Sequence, residues 1–451
     1  MVWFFQGPSD AESRAHSSHQ SQRGVGGVSG VGNLLISALP SVLSHHPVLC
    51  GRYTATKKWE AIQLNNQGVQ VYLAERNVTL QEAVSHLPGS ELHANLKPAF
   101  FKRDVHEAFV PPKEGMDPDT GNAEMPLMRV QLTTLKDGGI AVGILVQHAV
   151  MDAAAIMVFM RNWAQAVQNL PLHPEPVYQH RELEHDGDDS DDKNNDNDND
   201  NEEVRHGFMC FPADGPTPMP PFAGLMEKIN GPCVCVAPFP QRVLRQLKAS
   251  ASVSVSVTPD QETFVSTDDL VTARVWKALC AMRCEQLSLS KDDSSITTCQ
   301  RACNFRKRMQ MPPTYCGNGV DEVRTELSVR DLLAMPVVEI ARRLRADLRA
   351  LTPDVIMRRS RWMQKQYVKL GNLSKRTMEA NALTFIVSSW RFDWEGVNLM
   401  GTPVAYDHGA LVPVVAVITP RPRGDGIHVY ASGSRQHLEI FANELIKEID
   451  V

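Results

Sequence analysis

The sequence predicts a mixed α/β protein in two parts. Segments with strand-like alternation and segments with helical spacing of apolar residues follow one another in both halves of the chain, and this alternation is typical of sheets covered by helices. The 451 residues are enough for two domains. A break in composition near residue 190 separates the halves. We predict an N-terminal domain at 1–180, a linker at 181–204 and a C-terminal domain at 205–451.

The linker is predicted from its charge. Between Glu182 and Glu203 the chain has twelve acids and one lysine, and such a run repels itself and has little to bury. We therefore expect a disordered linker or surface loop. A linker is favoured over a calcium loop of the EF-hand type, because counting from Asp196 the required Gly and Glu positions hold Asn201 and Gly207.

Composition limits the classes of function. The net charge is −6, but the chain without its acidic run carries +5, which suits an anionic ligand and falls short of a nucleic-acid interface. No apolar run reaches the ~20 residues of a membrane span. The start MVWFFQGPSD has no basic region leading into a long apolar core, so we expect no secretory signal. Nine scattered cysteines indicate free thiols in a reducing compartment. We therefore expect a cytoplasmic protein, and we take it to be a monomer.

In the first half, the clearest pattern is a hairpin followed by a helix. The segments 125–135 and 140–147 are predicted strands on either side of a turn, Asp-Gly-Gly, at 137–139. The second strand carries apolar residues on both faces, so we expect it to be well buried. A helix is predicted at 153–168. His148 therefore lies where a buried strand ends and a helix begins.

His148 and Asp152 form an HxxxD pattern with chemical potential. Imidazole titrates near neutrality, so it can take a proton from an attacking hydroxyl or amine. Asp152 could either orient the ring or hold the local structure, and the spacing leaves both open. Taken alone, the pattern arises easily by chance, and a lone histidine after a strand is more often structural.

In the second half, strands and helices again alternate. Ser266 and Asp269 predict a capped helix start, because each side chain can bond the backbone N–H of the other. The further predicted helices are 269–287, 338–351 and 437–449. The predicted strands are 297–305, 383–390, 411–420 and 427–433, the last of them edge-like.

Five segments, in order along most of the chain, resemble the BAHD superfamily of acyl-CoA-dependent acyltransferases, in its plant-type hydroxycinnamoyl and anthranilate branch. The stretch 126–164 is similar to the family's strand, Gly-Gly turn, HxxxD strand and Trp-Ala helix. The other four segments are LLISALPSVLSHHPVLCGRY with Gly51-Arg52, STDDLVTARVWKAL, NFRKRMQMPPTYCGNG and LTFIVSSW.

The resemblance implies a chloramphenicol acetyltransferase-like α/β fold, in which two similar mixed-sheet domains meet at a central solvent channel. His148 would lie in that channel and deprotonate an alcohol or amine acceptor. The acceptor would attack the thioester of acyl-CoA directly, without an acyl-enzyme, and the acyl group would not be an aminoacyl group. Acyl-CoA is thus an expected co-substrate, and we expect no permanently bound cofactor.

The resemblance also implies roles for individual residues. Ser388 and the indole N–H of Trp390 are, by position, candidate donors to the oxyanion that forms during acyl transfer. For Trp390, simple core packing is the alternative interpretation. The family's aspartate is structural and points toward an arginine, so an ion pair between Asp152 and Arg306 is a hypothesis.

Contacts with CoA or substrate are expected from five further residues. A helix start and nearby cations can hold the phosphates of CoA. Ordinary helix capping and solvated surface charge are the competing interpretation. The five candidates are Ser266, Thr267, Lys307, Arg308 and Asn318.

Three features depart from the family pattern. The second signature, Asp-Phe-Gly-Trp-Gly, falls where Asn398 replaces the aspartate and only Gly401 and Pro403 are similar to the pattern. Ala153 stands where the family commonly has glycine, and the N-terminus lacks the customary opening strand. The alternative function is therefore a non-catalytic protein that binds acyl-CoA or another small ligand on the same scaffold.

Two other interpretations are less favoured. A carrier-protein-dependent condensation domain commonly has a doubled histidine and a glycine after the aspartate, where this chain has Gln147 and Ala153. The cysteine pairs 280/284 and 299/303 have the wrong spacing for a usual zinc site. We therefore predict buried free thiols and no metal.

Overall fold

A computed structural model of the chain describes residues 1–7, 30–53, 62–85, 97–102, 105–114, 124–173, 175–178, 208–212, 231–253, 264–369, 374–378, 382–408, 413–421 and 425–447. The linker predicted at 181–204 lies outside these residues. The mixed α/β prediction is confirmed, because two mixed sheets are each packed against helices.

Sixteen strands and nine α-helices lie within the described residues. The strands are β1 Val2–Phe5, β2 Arg52–Tyr53, β3 Ile62–Gln63, β4 Gln70–Arg76, β5 Ala99–Lys102, β6 Met128–Leu135, β7 Ile140–Val146, β8 Phe208–Pro212, β9 Cys233–Phe239, β10 Ile296–Asn304, β11 Val320–Ser328, β12 Ser374–Met378, β13 Thr384–Ser389, β14 Ala405–Asp407, β15 Val415–Pro420 and β16 Ile427–Gly433. The helices are α1 Gly30–His45, α2 Leu80–Ser85, α3 Ala153–Val167, α4 Gln241–Val253, α5 Thr267–Leu287, α6 Val329–Ala334, α7 Val337–Ala350, α8 Pro353–Lys369 and α9 Arg435–Ile446.

The first sheet has the order β14-β1-β7-β6-β4. The predicted hairpin is present as the antiparallel pair β6 and β7, and the outer strand β4 pairs in parallel with β6. Apolar side chains of α1 and α3 cover one face of this sheet, with Leu35, Phe159 and Trp163 among the fully buried ones. This packing fixes the junction of β7 and α3, where His148 lies.

The prediction that an opening strand is missing was wrong. The strand β1 lies between β7 and β14 and pairs antiparallel with both. All four of its residues are fully buried, because Trp3 and Phe5 enter the core under α1 and α3 while Val2 and Phe4 enter a smaller core on the other face.

The second sheet has the order β11-β10-β13-β15-β16-β9-β5. The helices α5, α7 and α9 pack on one face with the largest apolar core of the described chain. Strand β16 was predicted to be edge-like, and this was wrong, because it is hydrogen-bonded to both β15 and β9. Its apolar residues face the helices, and its polar residues His428 and Ser432 are buried on the opposite face.

The two sheets exchange short pieces of chain. Strand β5, from the first half, forms the end of the second sheet, and β14, from the second half, forms the end of the first. Cys316 and Trp394 are also buried in the core of the first sheet. The division into two domains at 181–204 stays a prediction. Two domains divided there would each contain a strand from the other half of the chain.

Candidate active site

His148 lies on a tight turn between β7 and α3. The turn covers 147–150 and is closed by the Val150 N–H, which donates to the Gln147 carbonyl at 2.9 Å. The side chains that follow turn inward, since Val150 and Met151 are 6% and 1% exposed. The His148 side chain is exposed. The turn therefore presents the imidazole away from the core on an anchored backbone.

Asp152, in contrast, is buried and paired with Arg306. The two residues are 2% and 4% exposed. Arg306 Nη1 donates to Asp152 Oδ2 at 2.7 Å and Nη2 donates to Oδ1 at 3.0 Å, which is the bidentate geometry that favours arginine over lysine. Asp152 also caps α3, because its Oδ1 accepts the Ala155 N–H at 2.9 Å. The structure thus contains the ion pair that the family resemblance implied.

Arg306 belongs to the loop 305–319, which follows β10 and contacts the first half of the chain; we call it the crossing loop. Arg306 Nε donates to the Tyr315 carbonyl at 3.0 Å. The Gly319 N–H donates to Asp152 Oδ2 at 2.8 Å. A Cβ on Gly319 would lie 2.7 Å from Arg306 Nη1, so a glycine is needed for this close approach.

The crossing loop also supports the histidine turn directly. Asn318 Nδ2 donates to the His148 carbonyl at 3.0 Å. Earlier in the loop, the Val177 N–H donates to the Thr314 carbonyl at 3.0 Å and the Cys316 N–H donates to the Val177 carbonyl at 2.7 Å. The backbone of His148 is therefore tied to the second half of the chain while its ring stays exposed.

A buried polar chain behind the crossing loop was missed in the sequence. His46, which directly follows α1, has Nδ1 2.6 Å from the Tyr178 hydroxyl and Nε2 3.1 Å from Asn162 Nδ2. Because an amide nitrogen can only donate, His46 Nε2 accepts and Nδ1 carries the proton. Burial lowers the pKa of His46 to about 4, so the ring is neutral at pH 7. A histidine beside a proline at a helix end carries no sequence signal that would reveal this network.

The structure brings Ser388 and Trp390 together. Trp390 Nε1 donates to Ser388 Oγ at 2.8 Å, so the indole N–H that was predicted to face an oxyanion already has an acceptor. Trp390 packs against the core of the first sheet and against the face of the second sheet that lies opposite its helices. Its ring lies edge-on to His408 with the centroids 5.4 Å apart. The pair therefore lies at the interface between the two sheets.

Ser266 and Asp269 form the predicted capping box at the start of α5. Ser266 Oγ accepts the Asp269 N–H at 3.2 Å, and the Ser266 N–H donates to Asp269 Oδ2 at 2.6 Å. Arg301 Nη1 donates to Asp269 Oδ1 at 3.0 Å, and Arg345 pairs with Oδ2. Burial opposes ionisation, but the charge of Arg301, the Ser266 hydrogen bonds and Arg345 hold the pKa of Asp269 below its usual value.

The five residues expected to contact CoA or substrate are spread over three places. Ser266 caps α5, followed by the half-buried Thr267. Arg308 Nη2 donates to a backbone carbonyl, that of Leu348, at 2.8 Å. Lys307 is exposed. Asn318 lies under the histidine turn, so it is the member of this set that directly contacts the HxxxD segment.

The segment that departs from the family's second signature is nevertheless ordered by hydrogen bonds. Asn398 Oδ1 accepts the Gly401 N–H at 2.7 Å, and the Asn398 carbonyl accepts Gln168 Nε2 at 3.0 Å. Leu399 is 2% exposed in the core of the first sheet. The altered residues therefore form a packed turn that leads into β14.

The cysteines singled out in the sequence are free thiols. Cys280, Cys284 and Cys299 are buried, and Cys303 is half-buried. A hydrogen bond with Cys284, together with burial, raises the pKa of Cys280. Such thiols contribute as small apolar side chains.

Comparisons with known proteins place the chain in a family. The model of the family described as "Transferase family" matches residues 29–447. Tryptamine hydroxycinnamoyltransferase 2 of Oryza sativa subsp. japonica is 24% identical over 314 residues, 66% of this chain and 58% of that protein. Anthranilate N-benzoyltransferase protein 2 of Dianthus caryophyllus is 23% identical over 330 residues, 72% of this chain and 64% of that protein. The matched part thus spans 58% and 64% of these curated relatives.

A solved structure shows the same fold. The F. graminearum TRI101 protein, crystallised with coenzyme A and T-2 mycotoxin, superimposes with a TM-score of 0.68 at 17% identity, covering 97% of this chain and 91% of that one. The fold is the two-domain, chloramphenicol acetyltransferase-like α/β fold that the sequence predicted. The family match covers nearly the whole chain, and the chain belongs to this transferase family, the BAHD acyltransferases.

Proposed function

We propose that the protein transfers an acyl group from acyl-CoA to an alcohol or amine acceptor, with His148 as the general base. The observation that carries this proposal is the exposed imidazole of His148 on a turn whose backbone is clamped through Asn318 and Asp152. A base must hold a fixed position relative to the proton it removes. The family membership supports acyl transfer. The names of the relatives supply tryptamine and anthranilate as candidate acceptors, and hydroxycinnamoyl and benzoyl as candidate acyl groups.

In the proposed reaction, an imidazole nitrogen of His148 takes the proton from the acceptor O–H or N–H. The acceptor atom forms a bond to the thioester carbonyl carbon, and the carbonyl electron pair moves to oxygen. The tetrahedral intermediate then re-forms the carbonyl and expels the CoA thiolate, which receives the proton from the imidazolium. Positioned base catalysis of this kind contributes roughly 10²–10⁴-fold in rate.

Ser388 is the proposed donor to the oxyanion. Because Trp390 Nε1 donates to Ser388 Oγ, the indole orients the hydroxyl and leaves the Ser388 proton available for a donor role. This modifies the prediction from the sequence, in which both groups contacted the oxyanion. Asp152 and Arg306 have a positioning role, because Asp152 accepts the Ala155 and Gly319 N–H groups. Arg306 binds this carboxylate and donates to the Tyr315 and Gly317 carbonyls of the crossing loop.

For the phosphates of CoA, Thr267 and Lys307 are the stronger of the proposed contacts. Ser266 and Arg308 already hydrogen-bond within the chain, so a role in CoA binding requires them to share or exchange partners. The solvent channel between the domains, the cytosol and the monomeric state also remain proposals. Within the described part of the chain, no helix has the length and apolar character to span a bilayer.

The test uses a panel of acyl-CoAs incubated with pooled alcohols and amines, with free CoA as the readout. We expect acceptor-dependent CoA release by the wild type and a loss of at least about 10²-fold for His148→Ala. His173→Ala is a matched control, because the His173 side chain is exposed and its contacts with Gln165 use backbone atoms.

The outcomes separate the two candidate functions. If His148→Ala keeps activity within a few-fold of the wild type, His148 is not the base. If acyl-CoA binds but no acceptor releases CoA, the non-catalytic alternative is correct. The ordered turn at Asn398 argues against that alternative, because the altered second signature still packs onto the first sheet.

A further inference from the structure

A cavity of about 290 Å³ lies among the helices of the second half, apart from the elements that carry His148 and Ser388. Its charged lining comes from α5, from the turn after α5 and from the end of α9, and α6 and the start of α7 supply apolar side chains. The charged lining residues are Arg274, Lys277, Lys291, Glu444 and Lys447. Binding pockets for small molecules are typically about 300–1,000 Å³, so this cavity suits a small ligand.

The charges in this cavity are strongly unequal. Four of the lining residues are cations, and Glu444 is the one acid among the described residues that line it, which gives a formal charge of +3. Lys447 Nζ lies 3.6 Å from the Glu444 carboxylate. The four cations around this small volume repel one another with only one acid to offset them, and an anion placed between them relieves that repulsion.

Two helix C-termini offset part of this positive charge. Arg274 Nη1 donates to the Lys447 carbonyl at 2.8 Å, just after the end of α9, and Lys277 Nζ donates to the Met335 carbonyl at 2.9 Å, just after the end of α6. A helix C-terminus carries roughly half a negative elementary charge. The two termini therefore offset about one of the three positive charges, and about two remain.

We propose that this cavity is a second anion site, separate from the acyl-transfer site, and that it binds a phosphate group. A phosphate dianion matches the remaining charge of about two, and it presents several acceptors to the lysine and arginine donors. The phosphate comes either as free inorganic phosphate or on a small monoester that fits the cavity. The proposal does not depend on the acyl-transfer function.

The experiment titrates the full chain with inorganic phosphate by calorimetry at constant ionic strength, and then with glycerol phosphate. The test variant is Lys291→Gln with Lys447→Gln, because both side chains are exposed and line the cavity. We expect its phosphate Kd to rise at least about tenfold, since two charge-assisted contacts are lost. Binding of glycerol phosphate identifies a monoester site, and binding of inorganic phosphate alone identifies a free-phosphate site.

A charge-matched control removes two exposed lysines elsewhere, as Lys113→Gln with Lys136→Gln. This control should keep the phosphate Kd of the wild type. Saturating CoA should also leave phosphate binding unchanged, whereas loss of binding with CoA would place phosphate at the CoA site. The proposal is overturned if the wild type gives no phosphate-dependent heat at millimolar concentration, or if both double variants weaken binding equally.

Discussion

Two buried aspartates of this protein each lie at the start of a helix and pair with arginine, but they connect different parts of the molecule. Asp152 precedes α3 and Asp269 lies in the first turn of α5; both are at most 2% exposed and both pair with arginine. Asp152 joins two segments 154 residues apart, one from each half of the chain. Asp269 joins α5 to β10 and α7 within the second half.

The difference lies in what stands beside each carboxylate. Four residues before Asp152 is an exposed histidine, and the crossing loop that carries Arg306 also holds the backbone of that histidine. Around Asp269 the neighbours are a capping serine and two arginines, and all of them lie in the second half of the chain. A buried ion pair is weak evidence for function by itself. The crossing loop also bonds the backbone of an exposed histidine through Asn318, and this makes the first cluster a candidate active site.

The largest expected effect is that of Asp152→Ala. Removal of this carboxylate leaves the buried Arg306 without its partner, which typically costs about 3–5 kcal/mol. We expect this loss in the free energy of unfolding by urea, together with a fall in kcat that exceeds the loss of folded protein, because the His148 turn loses its anchor. Gly319 and Ala155 would lose the same acceptor. Full kcat in the folded fraction would remove the positioning role of Asp152.

The corresponding change in the second cluster is Asp269→Ala. It removes the carboxylate that Arg345 pairs with and leaves Arg301 with Asp268 and the Leu344 carbonyl as acceptors. We therefore expect a loss of about 3 kcal/mol in the free energy of unfolding, at the lower end of the range for a broken buried ion pair. The folded fraction should keep kcat within a few-fold, because this cluster has no bond to the His148 turn. Activity per folded molecule, measured with unfolding curves of the same samples, distinguishes the two aspartates. Equal losses of kcat would erase the comparison.

The sequence predicted the local parts of this arrangement well. The hairpin, the turn with His148 and the capping box of α5 follow from turn residues, alternation and capping, all of which operate within a few residues. The pairing of Asp152 with Arg306 came from the family resemblance, since a contact over 154 residues has no local signal.

The errors have physical causes. Strand β1 has four residues, too few for a period to be visible, and its burial comes from strands distant in sequence. Strand β16 alternates apolar and polar residues, which is typical of a strand with one solvated face. Here the polar face, with His428 and Ser432, is buried, so the alternation indicated the wrong environment. The bond from Trp390 to Ser388 depends on side-chain orientation, which residue identity does not fix.

His46 lies behind the crossing loop, close to the first cluster and not to the second, and its titration should make the stability of the protein depend on pH. Its pKa is lowered to about 4 in the folded protein, against about 6.5 in the unfolded chain. Between these values the unfolded state binds more protons, so the free energy of unfolding falls as the pH decreases from 6.5 to 4. The contribution of His46 to this fall is about 3 kcal/mol.

His46→Gln removes this titration and serves as the comparison. Urea unfolding at several pH values should show a variant that is less stable than the wild type at pH 7.5, with a difference that shrinks toward pH 4. For Asp269→Ala, the difference from the wild type should not shrink in this way, because His46 is still present and titrates in both proteins. Parallel pH profiles for wild type and His46→Gln would show that His46 keeps an ordinary pKa in the folded protein.

The smallest effect concerns Ser266, which distinguishes capping from CoA binding in the second cluster. Ser266→Ala removes the acceptor for the Asp269 N–H, and loss of such a cap costs about 1 kcal/mol. Ser328→Ala is the matched control, because Ser328 caps α6 through Asp331 in the same way. We expect both variants to lose similar stability and to keep the KM for acyl-CoA within about twofold, since the Ser266 hydroxyl already donates to Asp269.

A rise in KM of about tenfold for Ser266→Ala, without one for Ser328→Ala, would instead indicate a direct contact between Ser266 and CoA, because a charge-assisted hydrogen bond to phosphate contributes about that much. The second cluster would then contribute to the substrate site, as we propose for the first.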